Sequence, residues 1–105
     1  MNSADLDATI AHMGAAARAA SAKTMAAPTA AKNAALSALA RRLRGSVAAL
    51  QAVNAEDVSA AVAAGLAAPL VDRLKLTPKI IETAAAGCDE IAAMADPIGE
   101  ITELR

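Results

Sequence analysis

The sequence predicts an all-α fold of about five helices that ends in the start of a β-strand. Three observations lead to this prediction. Alanine, the strongest helix former, makes up roughly a third of the 105 residues. Apolar residues recur at helical spacings, and cap residues or prolines separate the successive runs. Because alanine buries little apolar area, the sequence also predicts a thin core and marginal stability for the isolated chain.

The first helix is predicted from Ser3 to Ala27. Ser3 is expected to be the N-cap, and Asp5 and Asp7 suit the positive helix start. Pro28 ends the run. One helical face carries five apolar residues at spacings of four and three: Leu6, Ile10, Met13, Ala17 and Ala20.

A second helix is predicted from about Thr29, with one apolar stripe formed by Leu36, Leu39, Leu43, Val47 and Leu50. The stripe covers only about two heptads, which favours a packed bundle helix over a coiled coil. Asn54 is expected to cap a third, shorter helix with Glu56 and Asp57 in its first turn. Gly65 suits the left-handed position just past its end.

Prolines mark the starts of two further helices. Pro69 is expected to open a fourth helix that reaches about Leu74. Thr77 followed by Pro78 predicts an N-cap and first helical residue for a fifth helix that runs to about Ala95. Its predicted inner face consists of Ile81, Ala84, Cys88, Ile91 and Ala95.

Asp96 and Pro97 are expected to end the fifth helix, and residues 98–105 tolerate β-structure. Residues 1–96 are therefore predicted to form a helical layer, and residues 97–105 the start of a first strand. A strand needs hydrogen-bonding neighbours, and no second strand-like run occurs. The chain is therefore predicted to stop just as a sheet begins, and its helices are predicted to leave a Leu/Ile/Val face exposed.

Composition excludes several classes of partner. The chain has no aromatic residue, so it has no stacking platform for single-stranded nucleic acid. Its net charge of −1 provides no field that draws it to nucleic acid or an anionic membrane. No apolar stretch is long enough to span a bilayer, and a single cysteine forms no internal disulfide. Because the acidic N-terminus is unlike a signal peptide, the sequence predicts a cytoplasmic protein.

Cys88 and His12 are the obvious candidates for catalysis or metal binding. Cys88 lies on the predicted inner stripe without a visible activating group, so it is interpreted as a small core residue. His12 has no His or Cys cluster around it that would suit a metal. The acidic pairs Glu56–Asp57 and Asp89–Glu90 are adjacent in sequence and diverge around a helix, so neither is a shared acid–base site.

Arg41, Arg42 and Arg44 form the one basic cluster. Arginine can bind phosphate through two parallel hydrogen bonds, which makes a phosphate site one reading. Cations near a helix C-terminus are also favoured by the helix dipole, and a solvated or partner-facing edge is the preferred reading. No glycine-rich phosphate loop is present. The sequence therefore predicts no catalytic, cofactor-binding or metal-binding residue in this chain.

Four segments in the second half occur in an order and spacing that resemble a known family: NAEDV at 54–58, GL at 65–66, DRLKLTP at 72–78 and ADPIGE at 95–100. The earlier MGAAARAAS at 13–21 and KNAAL at 32–36 are similar as well, although less distinctive. Together they resemble the N-terminal segment of glutamate-5-semialdehyde dehydrogenase, also called gamma-glutamyl phosphate reductase, of the aldehyde dehydrogenase superfamily.

The resemblance implies an enzyme of proline biosynthesis that reduces L-glutamyl 5-phosphate with NADPH and releases phosphate. In that family the nucleophilic cysteine and the dinucleotide-binding sheet lie downstream of the matched segment, and Cys88 does not correspond to the nucleophile. The isolated chain is therefore expected to be inactive and to bind no NADP(H). Three explanations remain open for a chain that matches only this segment: it is a truncated gene product, a fragment or one piece of a split protein.

The expected partners of the chain are the remainder of the enzyme or a second copy. A different class of function also stays open. In that alternative, the chain is a stand-alone helical module that binds another protein through its exposed apolar face.

Overall fold

The structure is a computed structural model that describes residues 2–98. Within that range the chain forms five α-helices and no strand, which confirms the all-α prediction. The helices are α1 (Ser3–Ala26), α2 (Thr29–Gly45), α3 (Val47–Ala63), α4 (Ala68–Leu74) and α5 (Pro78–Ala92). Pro97 and Ile98 belong to no helix or strand. The rest of the predicted strand, residues 99–105, lies outside the described residues.

The described residues divide into two compact units. The first unit comprises residues 2–32 together with residues 95–98, and it contains α1 and the first turn of α2. The second unit comprises residues 33–94, and it contains the remainder of α2 with α3, α4 and α5.

α1 begins with a capping box formed by Asn2 and Asp5. The Asn2 side chain accepts a hydrogen bond from the Asp5 N–H at 2.8 Å, and the Asp5 carboxylate accepts one from the Asn2 N–H at 3.4 Å. The prediction of Ser3 as N-cap is wrong by one residue, because Asn2 supplies the cap and Ser3 is already helical. None of the 24 residues of α1 is buried.

The boundary between the second and third helices lies earlier in the chain than predicted. α2 ends at Gly45, Ser46 separates the helices, and α3 runs from Val47 to Ala63. Glycine and serine are poorer helix formers than the residues around them, which explains the position of the break. Asn54 is therefore an interior residue of α3, and the prediction that it caps a helix is wrong.

The end of α3 follows the predicted pattern. Gly65 has a φ of 80°, the left-handed conformation that glycine adopts without a steric penalty. The Gly65 N–H donates to the Val62 carbonyl and the Leu66 N–H donates to the Ala61 carbonyl, each at 3.0 Å. These two bonds form a Schellman motif, which satisfies carbonyls that the helix leaves free. The predicted role of Gly65 is confirmed.

The predicted starts of α4 and α5 are confirmed to within one residue. Pro69 lies in the first turn of α4, which begins at Ala68. The Thr77 hydroxyl caps α5 by accepting a hydrogen bond from the Ile80 N–H at 3.1 Å, and Pro78 is the first helical residue. α5 ends at Ala92, three residues earlier than predicted.

The buried core of the second unit is small. Its four buried residues come from α2, α4 and α5 and are Ala40, Val71, Ile81 and Ala85. Two of them are alanines, so the core contains little apolar area, as the composition predicts.

The inner face of α5 differs from the predicted one. Ile81 and Ala85 are buried, whereas Ala84 and Ile91 are exposed. Ala95 lies beyond the helix and is exposed too. α5 has two apolar stripes, and the predicted inner face combines residues of both. Only the stripe that contains Ile81 and Ala85 faces the core.

Candidate functional site

Among the described residues, polar side chains join distant segments of the chain at three places. We name them the Asn54 clamp, the Arg44 bridge and the Lys32–Asp96 pair. The clamp and the bridge lie in the second unit, and the pair lies in the first.

In the Asn54 clamp, one side-chain amide of α3 holds the backbone between α4 and α5. The Asn54 Nδ2 donates to the Leu74 carbonyl at 2.7 Å, and its Oδ1 accepts from the Leu76 N–H at 2.9 Å. Gln51, one helical turn earlier, donates to the Leu76 carbonyl at 3.3 Å. These bonds satisfy backbone groups that no helix pairs, and they fix the segment that leads into the Thr77 cap.

In the Arg44 bridge, one guanidinium joins α2 to two carboxylates of α5. Its Nε and Nη2 donate to Glu82 at 3.0 and 2.9 Å, and its Nη1 lies 2.8 Å from the Asp89 Oδ2. Glu82 and Asp89 are two helical turns apart and therefore share one face of α5. The hydrogen bonds from Arg44 lower the pKa of Glu82, and those carboxylates raise the pKa of Arg44.

The Arg44 bridge bears on whether Arg41, Arg42 and Arg44 could bind phosphate together. Arg44 forms salt bridges with Glu82 and Asp89, whereas none of the salt bridges between residues 2 and 98 involves Arg41 or Arg42. The three arginines therefore do not act as one phosphate-binding group in this structure.

In the Lys32–Asp96 pair, a salt bridge of 2.8 Å joins the start of α2 to the segment after α5. The Thr29 hydroxyl donates to the same carboxylate at 3.0 Å, and the Ile98 N–H donates to its other oxygen at 2.9 Å. Only 19% of the Lys32 side chain and 14% of the Asp96 side chain are exposed.

A cleft of about 500 Å³ lies beside this pair in the first unit. Its lining residues are Ser21, Thr24, Met25, Lys32, Asp96 and Ile98. The Lys32 ammonium and the Asp96 carboxylate neutralise each other at 2.8 Å, so the cleft has no uncompensated charge from this pair.

The Lys32–Asp96 pair should make the stability of the fold depend on pH. The hydrogen bonds from Lys32, the Ile98 N–H and Thr29 lower the pKa of Asp96 below its ordinary value. A lowered carboxyl pKa stabilises the fold above the unfolded-state pKa of about 4, and that contribution is lost as the pH falls through the folded-state pKa. We expect Asp96→Asn to flatten the decrease in stability below about pH 4, measured by urea unfolding. A pH profile identical to that of the unmodified chain would contradict this role.

The predicted candidate residues are not brought together into one site. Cys88 is half-buried on the inner stripe of α5, and His12 is exposed on α1. Glu56 and Asp57 are exposed on α3. Within residues 2–98, no group of three or more His, Cys, Asp or Glu side chains is arranged to hold a metal ion.

The contacts do join segments that carry the family resemblance. Asn54 belongs to NAEDV, and it holds Leu74 and Leu76 of DRLKLTP. Lys32 belongs to KNAAL, and it binds Asp96 of ADPIGE. Four segments that are far apart in sequence therefore form two contacting pairs.

No family model and no solved structure matches the chain. None of the helices described between residues 2 and 98 combines the length and the apolarity that a membrane crossing requires.

Proposed function

We propose that this chain is the N-terminal helical part of a glutamate-5-semialdehyde dehydrogenase. That enzyme is an NADPH-dependent reductase that converts L-glutamyl 5-phosphate into L-glutamate 5-semialdehyde and releases phosphate. The observation that supports this proposal most is the Asn54 clamp, because it joins NAEDV to DRLKLTP, two of the segments that carry the resemblance. The Lys32–Asp96 pair joins KNAAL to ADPIGE in the same way.

In this proposal the chain has a structural role in the enzyme. The reaction requires a cysteine thiolate that displaces phosphate from the acyl phosphate, and a hydride donor that reduces the resulting thioester. Cys88 is half-buried in α5 and does not correspond to that nucleophile. The reactive groups belong to the remainder of the enzyme, and residues 2–98 supply helices that pack against it.

The exposed apolar side chains support this role. Leu6, Ile10 and Met13 share one face of α1, and they are exposed by 50%, 58% and 60%. Burial of such side chains stabilises a protein by about 1.5–3 kcal/mol each. A further layer of protein against this face would provide that stabilisation.

A chimeric enzyme tests the proposal. The chimera replaces the N-terminal helical segment of a reductase of this family with residues 1–98 of this chain. We expect it to consume NADPH with L-glutamyl 5-phosphate, whereas the chain alone should not. The matched control is a chimera that carries an alanine-rich helical segment of equal length without the Asn54 clamp, and it should be inactive. Turnover by the chain alone, or an inactive chimera that is folded, would contradict the proposal.

The alternative function is a stand-alone helical module that binds another protein. The complete exposure of α1 favours it, because an apolar face without a partner suits docking as well as internal packing. A folded but inactive chimera would favour this alternative if the chain alone also unfolds in one steep urea transition.

A further inference from the structure

α5 has a second apolar stripe beside the one that faces the core. We name it the outer stripe, and it consists of Ile80, Ala84, Gly87 and Ile91. Its members recur at spacings of four, three and four, so they share one face of the helix. Ile80 is 47% exposed and Ile91 is 54% exposed. A helix with apolar residues on two faces is typical of a helix that is covered on both.

The centre of the outer stripe allows another helix to approach closely. Ala84 and Gly87 are the two smallest members, and they lie between the two isoleucines. Outside the backbone of its own helical turns, nothing lies within 4 Å of the point that a Cβ on Gly87 would occupy. Small residues between larger ones let two helix backbones approach, while the isoleucines pack at either end.

Two opposite charges flank the same side of the outer stripe. Lys79 and Glu90 are eleven residues apart, which is close to three full turns, so they lie on one side of α5 about 16 Å from each other. Within residues 2–98 neither side chain forms a salt bridge, in contrast to Glu82 and Asp89 on the Arg44 side.

We propose that the outer stripe of α5 binds the outer stripe of a second copy of this chain, antiparallel about a two-fold axis between Ala84 and Gly87. In this arrangement Ile80 packs against Ile91 of the second copy. Lys79 faces Glu90 of the second copy, and the two-fold axis repeats that pair. A parallel arrangement would place Lys79 beside Lys79, so the charge pattern selects the antiparallel one.

The charge order favours a second copy over an unrelated partner. Along α5 the relevant residues run in the order Lys79, Ile80, Ala84, Gly87, Glu90 and Ile91. In an antiparallel copy each lysine falls near a glutamate and each isoleucine near an isoleucine, so the pattern complements itself. An isologous interface requires this self-complementarity. The proposal does not depend on the reductase activity, because its test uses the chain alone.

Charge-swap variants of the full chain test the pairing. We expect the unmodified chain to form a reversible dimer in a sedimentation-velocity concentration series. Lys79→Glu and Glu90→Lys should each weaken the dimer about tenfold, because each places like charges opposite one another twice. An equimolar mixture of the two variants should recover the dimer, since every facing pair is then of opposite charge. A monomer at all concentrations, or a mixture that fails to recover, would overturn the proposal.

A steric variant provides a second, independent readout. In Gly87→Leu, the leucine side chain fills the open space that the second helix would need. The substitution should abolish the dimer, while circular dichroism shows equal or greater helix content. Gly14→Leu on α1 is the matched control, because Gly14 has the same open surroundings and should leave the dimer unchanged. Lys23→Glu on α1 is the control for charge. A dimer that persists in Gly87→Leu would show that another surface forms it, which would also overturn the proposal.

Discussion

Replacing Ile81 with alanine should lower the free energy of unfolding by about 2–5 kcal/mol. Ile81 is 3% exposed, and it is the largest of the four buried side chains in the second unit. The other members are two alanines and Val71, so the buried core holds no second side chain of that size to fill the space that the substitution leaves. Because a thin core also limits total stability, we expect the variant to be largely unfolded at 25 °C. Urea unfolding followed by far-UV circular dichroism measures the change.

Ile80→Ala is the matched control for this prediction. Ile80 is the same residue type, adjacent in sequence and in the same first turn of α5, but it is 47% exposed. Its replacement should cost well under half as much, since much of its surface already contacts water. Equal losses from the two substitutions would show that α5 is not oriented toward the core as described. The Ile80 variant should be measured at a protein concentration too low for the chain to dimerise.

Replacing Asn54 with alanine should lower the free energy of unfolding by about 1–3 kcal/mol. The substitution leaves the Leu74 carbonyl and the Leu76 N–H without the bonds that the amide provides. The loss should also loosen the segment that places Thr77 at the start of α5. Urea unfolding gives the energy, and hydrogen exchange of the first turn of α5 gives the local effect.

Two further substitutions separate the bonds of the Asn54 clamp. Asn54→Asp keeps an acceptor for the Leu76 N–H but removes the donor to the Leu74 carbonyl, so it should retain part of the stability. Gln51→Ala removes one longer bond of 3.3 Å and should cost less than Asn54→Ala. A free energy of unfolding that is unchanged in Asn54→Ala would contradict the clamp.

The local signals in the sequence predict most of the helix termini. Gly65 and the Thr77–Pro78 pair act within a few residues of their own positions, so their roles can be read without knowledge of the tertiary fold. The helical content follows from alanine in the same way. The N-cap prediction is wrong by only one residue, because the side chains of Asn2 and Ser3 can both accept a hydrogen bond from a helix N–H group.

Asn54 shows why other features could not be predicted. Asparagine caps helices and also binds exposed backbone with its side chain, and both uses suit the residue type equally well. Only the position of Leu76 relative to α3 distinguishes them. Likewise, alanines at both 84 and 85 of α5 give little contrast between the core stripe and the outer stripe, so the sequence pattern predicts a buried face between them.

The residues that join distant segments are also invisible to local pattern analysis. Lys32 and Asp96 are 64 residues apart, and neither has a neighbour in sequence that marks it as a partner. The charge of Arg44 is plain in the sequence, but only the packing of α2 against α5 identifies its two partners. Cys88 and His12 are candidates because of the reactivity of their side chains, whereas the observed polar contacts join structural elements.

Apolar helix surface is uncovered in this chain, above all on α1, and we propose that another layer of protein covers it. Hydrogen exchange of the isolated chain tests it most directly, because protection of backbone amides reports how firmly each helix is held. α1 has no buried residue, whereas α5 contains Ile81 and Ala85 of the core. We predict amides of α1 that exchange much faster than those in the middle of α5. Amides of α1 protected as strongly as those of α5 would contradict the claim.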